Sequence, residues 1–146
     1  MRNGVFTLVA VTVTALLAFW LIFDPFNRDW TAPAYHLSVT HTVLFQFKED
    51  ADPQAVRDVC GGMMALRTAC VNPSTLQPYI KSLTGGRDNS PEGHQRGATH
   101  GFVVEFASTQ DRDYYVTQDP AHQKLRKRIS SLVQDVVVVD WENGRF

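Results

Sequence analysis

Residues 97–122 read GATHGFVVEFASTQDRDYYVTQDPAH, and the order of patterns inside this stretch decides the fold. From Thr99 to Ala107 the residues alternate so that His100, Phe102, Val104 and Phe106 share one face, which is the period of a β-strand. At Ser108 the pattern changes. A hydroxyl there suits a helix N-cap, and Asp111 three residues on complements it in the manner of a capping box. The helix predicted to begin at this point breaks or restarts at Pro120, because proline lacks an N–H and clashes with the preceding turn. His122 falls just inside the restarted helix, where the helix dipole disfavours an imidazolium. The unit thus gathers adjacent Tyr114 and Tyr115 and two of the five histidines of the chain.

Working outward, Val39 to Phe47 alternates in the same way, with Val39, His41, Val43, Phe45 and Phe47 on one face and Thr40, Thr42 and Gln46 on the other. A second histidine therefore lies on the apolar face of a half-buried strand. Asp52-Pro53 supplies an N-cap and a proline at the first helical position, and Val56, Val59, Cys60, Met63, Leu66 and Cys70 follow at helical spacing, predicting a helix from Pro53 to about Val71. Gly61-Gly62 inside it costs about 1 kcal/mol per residue relative to alanine, so the helix is kinked there or something packs close. Pro78 to Thr84 reads as a short strand, with Tyr79, Lys81 and Leu83 opposed to Ile80 and Ser82, and Gly85 to Gly97 as a solvated loop. After Pro120, Leu125, Ile129, Leu132 and Val133 extend a helical face to about Val133. Val136 to Trp141 is almost wholly apolar, the signature of a strand buried on both faces.

The order is β-α-β-β-α-β, which implies an α+β, ferredoxin-like domain with a four-stranded antiparallel sheet and helices on one face. The other face is left bare. At ~25 cal/mol per Å² of apolar surface, wetting that many valines and phenylalanines forfeits many kcal/mol, so a homodimer packed sheet against sheet is expected.

The 146 residues carry a net charge of -1, and no basic stripe interleaved with aromatics points to nucleic acid. Cys60 and Cys70, ten helical residues and so ~15 Å apart, are too distant for a disulfide and read as two small buried thiols. No metal site is expected, since His41, His100 and His122 form no i, i+4 pair and no carboxylate obviously joins them. His36 and His94 fall in polar segments and read as solvent-exposed. The run Lys124, Arg126, Lys127 and Arg128 reads as a solvated helix face, with anionic lipid or a coenzyme A phosphate as the alternative. Residues 1–4 form a short tail. Val5 to Phe23 carries no charge and is long enough for a single-pass transmembrane signal anchor, Trp20 suiting the interface; a cleaved signal peptide is the competing reading. Residues 24–38, with Pro25 and Pro33, read as a linker, and 39–146 as the domain. The charge flanks, Arg2 against Arg28, weakly favour a cytosolic N-terminus, so the localisation expected is a membrane of unspecified compartment.

Taken in order, Thr40-His41-Thr42-Val43-Leu44-Phe45-Gln46-Phe47-Lys48, Gly97-Ala98-Thr99-His100, Asp119-Pro120-Ala121-His122 and Val138-Val139-Asp140-Trp141 resemble the stress-responsive dimeric α+β barrel (A/B barrel) family over roughly Thr40 to Phe146. The resemblance implies a dimeric barrel, in agreement with the bare sheet face. At its histidines the chain is similar to the olivetolic acid cyclase-type polyketide cyclases of that family, which close a poly-β-keto thioester by aldol condensation without a cofactor. That likeness implies His122 as catalytic base, Tyr115 as its assisting tyrosine with Tyr114 as the alternative, His41 and His100 as pocket residues that bind substrate, and no cofactor or metal. A neutral histidine suits removal of a proton between two carbonyls, and a tyrosine hydroxyl can hold the enolate. The competing expectation is a stress-linked barrel that binds a small apolar ligand without turning it over.

Overall fold

The computed structural model describes residues 37–146. The expected anchor, 5–23, and the linker up to residue 36 lie outside the described residues. Among the described residues no helix is long and apolar enough to cross a membrane. The elements run β1 (Val39–Phe47), α1 (Pro53–Ala69), β2 (Ile80–Arg87), β3 (His100–Phe106), α2 (Thr109–Thr117), α3 (Pro120–Ile129) and β4 (Val133–Glu142). The strands form one sheet in the order β2-β3-β1-β4, every neighbouring pair antiparallel. This is the ferredoxin-like α+β arrangement, with three helices because Pro120 separates α2 from α3.

The alternating faces of β1 and β3 decide which side is core. Val39, Val43, Phe45 and Phe47 meet Phe102, Val104 and Phe106 beneath the helices, together with Val59, Met63 and Leu66 of α1 and Leu125 and Ile129 of α3. Asp52 and Asp119 start α1 and α3 by the same device. Each has nearly the same backbone angles, φ -57 and ψ 121 against φ -58 and ψ 121, precedes a proline, and accepts two backbone N–H groups. Of the paired glycines, Gly62 has the packing reason: a Cβ there would fall 2.8 Å from Leu125 Cδ1, so its absence lets α3 lie close on α1. A Cβ at Gly61 meets nothing within 4 Å.

Three expectations are corrected. β2 starts and ends later than the sequence pattern suggests, and Gly85, Gly86 and Arg87 pair with Phe102, Gly101 and His100 instead of opening the loop. An irregularity between Ile80 and Ser82 breaks the alternation, so that Ile80 and Leu83, three apart, are both buried. The last helix stops at Ile129, where Ser130 and Ser131 turn their hydroxyls back onto the Lys127 and Arg128 carbonyls. Finally, β4 is not buried on both faces. It is an edge strand, and Val138 and Val139, on opposite faces, are 51% and 53% exposed. The helices stop short of this edge, and among the described residues nothing covers the outer face, where Leu44, Val103, Val137 and Trp141 stand exposed.

Candidate functional site

The site is built where β1, the β4 edge, α2 and α3 converge. Asp119 sets its depth. Its carboxylate is 1% exposed: Oδ1 accepts the N–H groups of Ala121 (2.9 Å) and His122 (3.0 Å), and Oδ2 accepts the Tyr79 hydroxyl (2.9 Å). The first turn of α3 is thereby fixed, and His122 with it. The Ser108 cap performs the same service for α2, accepting the Asp111 N–H and donating its hydroxyl to the Asp111 carboxylate. Helix α2 carries both tyrosines. Tyr115 turns into the core and stacks on His122, ring centroids 3.9 Å apart, whereas Tyr114 turns toward Tyr79 at 5.8 Å.

His41 enters from β1. Its ring meets Tyr115 edge-on at 5.7 Å, and its Nδ1 donates to Asp140 Oδ1 at 2.6 Å across the β1–β4 ladder. The other Asp140 oxygen accepts from Arg112 of α2. A carboxylate bound to Nδ1 orients the ring and fixes which nitrogen carries the proton. His41, Tyr115 and His122 all line one cleft of about 760 Å³, whose apolar walls include Met63, Ile129 and Val138. His100 does not join them. It sits at the other end of the sheet, opposite Phe45 in the β1–β3 ladder and edge-on to Phe47 at 5.0 Å.

Two polar atoms of the residues lining this cleft, the Tyr115 hydroxyl and His122 Nδ1, are buried without a hydrogen-bond partner among the described residues. Buried polar groups are ordinarily satisfied, so such a pair is an uncommitted donor and acceptor held just behind the cleft wall. Burial pulls the His122 imidazole down from its ordinary 6.5 to about 4; the Tyr115 carbonyl opposes this, His41 and Arg126 add to it, and Asp119 opposes it. The ring is therefore neutral at pH 7 and has a lone pair to accept a proton. Burial, with Cys70 and Asp119 adding to it, pushes the Tyr115 phenol up, so it remains a donor. Sequence patterns do not single out Asp119 or Asp140 as functional groups. The Asp-Pro pair that marks the start of α1 was the available signal for Asp119; nothing local marks Asp140, whose role depends on a partner 99 residues away.

Against known proteins, residues 39–143 match the stress responsive A/B barrel domain. A fusaristatin A biosynthesis cluster protein from Gibberella zeae is 30% identical over 98 residues, covering 66% of this chain and 66% of that protein, so the chain spans about two thirds of that relative's length. Among solved structures, At3g17210 from Arabidopsis thaliana is 25% identical with a TM-score of 0.62, covering 74% of this chain and 97% of that one. A hydroxynitrile lyase from Passiflora edulis is 20% identical with a TM-score of 0.63, covering 76% and 98%, a likeness of fold. Three ferredoxin-like neighbours with TM-scores of 0.55, 0.58 and 0.57 are described as dimeric.

Proposed function

Because this chain belongs to the stress-responsive A/B barrel domain family, we propose that it is an acid/base enzyme acting without a cofactor on a polyketide-like carbonyl compound, with His122 as base. The observation that carries this reading is that Tyr115 and His122, stacked at 3.9 Å and each with an unpartnered buried polar atom, line one cleft with His41. His122 removes a proton from a carbon lying between two carbonyls. The Tyr115 hydroxyl donates to the enolate oxygen that gains charge. The carbanion attacks a second carbonyl of the same chain, a carbon–carbon bond closes the ring, and the His122 imidazolium returns its proton to the new alkoxide. His41, held by Asp140, supplies a second oriented ring in the same cleft. The fungal biosynthesis cluster relative supports a place in secondary metabolism, and the hydroxynitrile lyase shows that this fold hosts an enzyme elsewhere.

The test is product analysis with poly-β-keto thioesters for the wild type, His122→Ala and Tyr115→Phe. Loss of cyclised product in His122→Ala, with a partial loss in Tyr115→Phe, supports the assignment; unchanged products remove it. The apolar walls of the cleft favour a second reading, a barrel that holds a small apolar ligand without turnover. In that case the wild type binds ligand and yields no new product.

The same family membership bears on assembly. The exposed outer face, with Leu44, Val103, Val137, Val139 and Trp141, supports a homodimer packed sheet on sheet, as do the dimeric neighbours. A stable monomer at micromolar concentration for the chain from Val39 onward would overturn it. We further propose that residues 5–23 anchor the domain to a membrane, which fractionation of the full chain against one starting at Val39 tests.

A further inference from the structure

Helix α3 exposes Lys124, Arg126, Lys127 and Arg128, and among the described residues none of these cations is in an ion pair. Acid/base chemistry at His122 uses none of them. Arg126 differs from the other three in its place, because it alone of the four lines the cleft of His41, Tyr115 and His122. Spacing is the reason. Residues four apart lie about one turn apart on the same side of a helix, so Arg126 stands on the side of α3 that presents His122, while buried Leu125 and Ile129 hold the helix to the core. The guanidinium is near enough that its charge joins burial and the His41 ring in holding the His122 imidazole below its ordinary pKa.

The carboxylates that line the same cleft are committed elsewhere. Asp140 is shared by His41 and Arg112, and Asp135 accepts the Val136 N–H at 2.9 Å. Strand β4 supplies an apolar wall. Val136 and Val138 line the cleft and stand opposite Phe45 and Val43 in the β1–β4 ladder, so they lie on the side of the sheet that carries the helices. They are nevertheless 41% and 51% exposed. A second copy packed on the outer face, against Val137 and Val139, leaves this side open.

An uncommitted guanidinium and an uncovered apolar wall in one cleft suit an amphiphilic anion better than a neutral chain, because the planar fork of arginine binds oxyanions through charge-assisted hydrogen bonds. Resting on the reading of this cleft as a substrate pocket, we propose that it selects compounds carrying an oxyanion, carboxylate or phosphate, which Arg126 binds while the body of the molecule runs along Val136 and Val138 toward His122. Arg126 is then a specificity-determining residue, one turn beyond the base on the same helix.

The test is calorimetric titration of the full chain at low ionic strength with hexanoate, hexanamide and hexanoyl-coenzyme A, which share one apolar body and carry a carboxylate, no charge and phosphates respectively. Binding of hexanoate at least about tenfold tighter than hexanamide supports the proposal with a carboxylate as the anion; the same margin for hexanoyl-coenzyme A alone supports it with a phosphate. In either case Arg126→Gln is expected to cut the margin to about twofold or less and Arg126→Lys to keep part of it. Arg128→Gln, which removes an equal charge from outside the cleft, should leave the margin unchanged. Because Arg126 is exposed, the melting temperature of Arg126→Gln should match the wild type. Absence of saturation by either anion at about 10 mM overturns the proposal. So does equal binding of the amide, an Arg126→Gln variant that keeps the wild-type margin, or an equal loss in Arg128→Gln. Turnover plays no part in these titrations. Cyclisation of a neutral thioester together with failure here overturns anion selection alone, and anion selection without cyclisation overturns the enzyme reading alone.

Discussion

Replacing Asp119 by alanine removes a single carboxylate that three donors share, and its cost can be worked from those bonds. Loss of an aspartate N-cap costs roughly 0.5–2 kcal/mol, here toward the upper end because the group is buried and takes two N–H groups. The Tyr79 hydroxyl, 2.9 Å from Oδ2, is left without its acceptor, which adds about 1–2 kcal/mol. The sum is about 3 kcal/mol. For a domain of this size a kcal/mol moves the melting temperature by roughly 4 °C, so Asp119→Ala is expected to melt about 12 °C lower. The assay is thermal unfolding by circular dichroism at pH 7 and fixed protein concentration, since assembly would make the midpoint concentration-dependent. Tyr79→Phe alone should cost about 1 kcal/mol. In the double variant the two losses should fall short of additivity by a similar amount, because phenylalanine no longer has a hydroxyl to satisfy. Asp119→Asn, which keeps one oxygen for the α3 N–H groups, should lose less than half as much. A drop below about 4 °C in Asp119→Ala, or strict additivity with Tyr79→Phe, refutes the reasoning.

Other outcomes are expected. Gly85→Ala should cost about 2 kcal/mol or more in urea unfolding, because its Cβ would fall 2.2 Å from Phe102 Cδ1 and 2.7 Å from the Gly101 carbonyl oxygen, whereas Gly86→Ala should be neutral to about 0.5 kcal/mol stabilising. Because the His122 pKa is lowered on folding, the unfolded chain binds the extra proton first; the stabilisation is fully present above about pH 6.5 and is lost as the pH falls through about 4. Melting temperatures between those limits should slope less in His122→Gln, and an unchanged slope would mean the ring is not buried neutral. Asp140→Ala frees His41 Nδ1 and should destabilise the domain by about 1–3 kcal/mol, with slow-exchanging imidazole N–H signal lost in proton NMR. Trp141→Glu, placed on the exposed outer face, should shift sedimentation toward the monomer while leaving far-ultraviolet circular dichroism intact.

Much of the fold was legible because alternation and capping are local. β1 has the bounds its pattern implies, and Asp52, Ser108 and Pro120 mark helix starts where they stand. What sequence could not carry was anything set by a neighbour. Val136 to Val139 announces apolar surroundings on two faces, yet apolarity does not say whether a helix, a cleft or a second chain provides them. The offset at Ile80 and Ser82 hides in a strand whose residues give no sign of a lost alternation. In the site, the restart at Pro120 placed His122, and the structure separates the adjacent tyrosines by which way α2 faces: Tyr115 toward His122, Tyr114 toward Tyr79. The histidines parted company for a reason of register. His41 lies opposite Asp140 and His100 opposite Phe45, at different ends of the same sheet.

Gly62 shows how far the site reaches into the scaffold. Leu125, which rests where a Cβ of that residue would be, follows His122 by three positions on α3, about one helical turn. The notch in α1 therefore works as a gauge: it sets how closely the Leu125 side chain, and with it the helix bearing the histidine, packs on α1. A single methyl at Gly62, which helix propensity would favour, would force the Leu125 side chain to move aside. The seat of the helix that carries His122 is thus cut into a different helix.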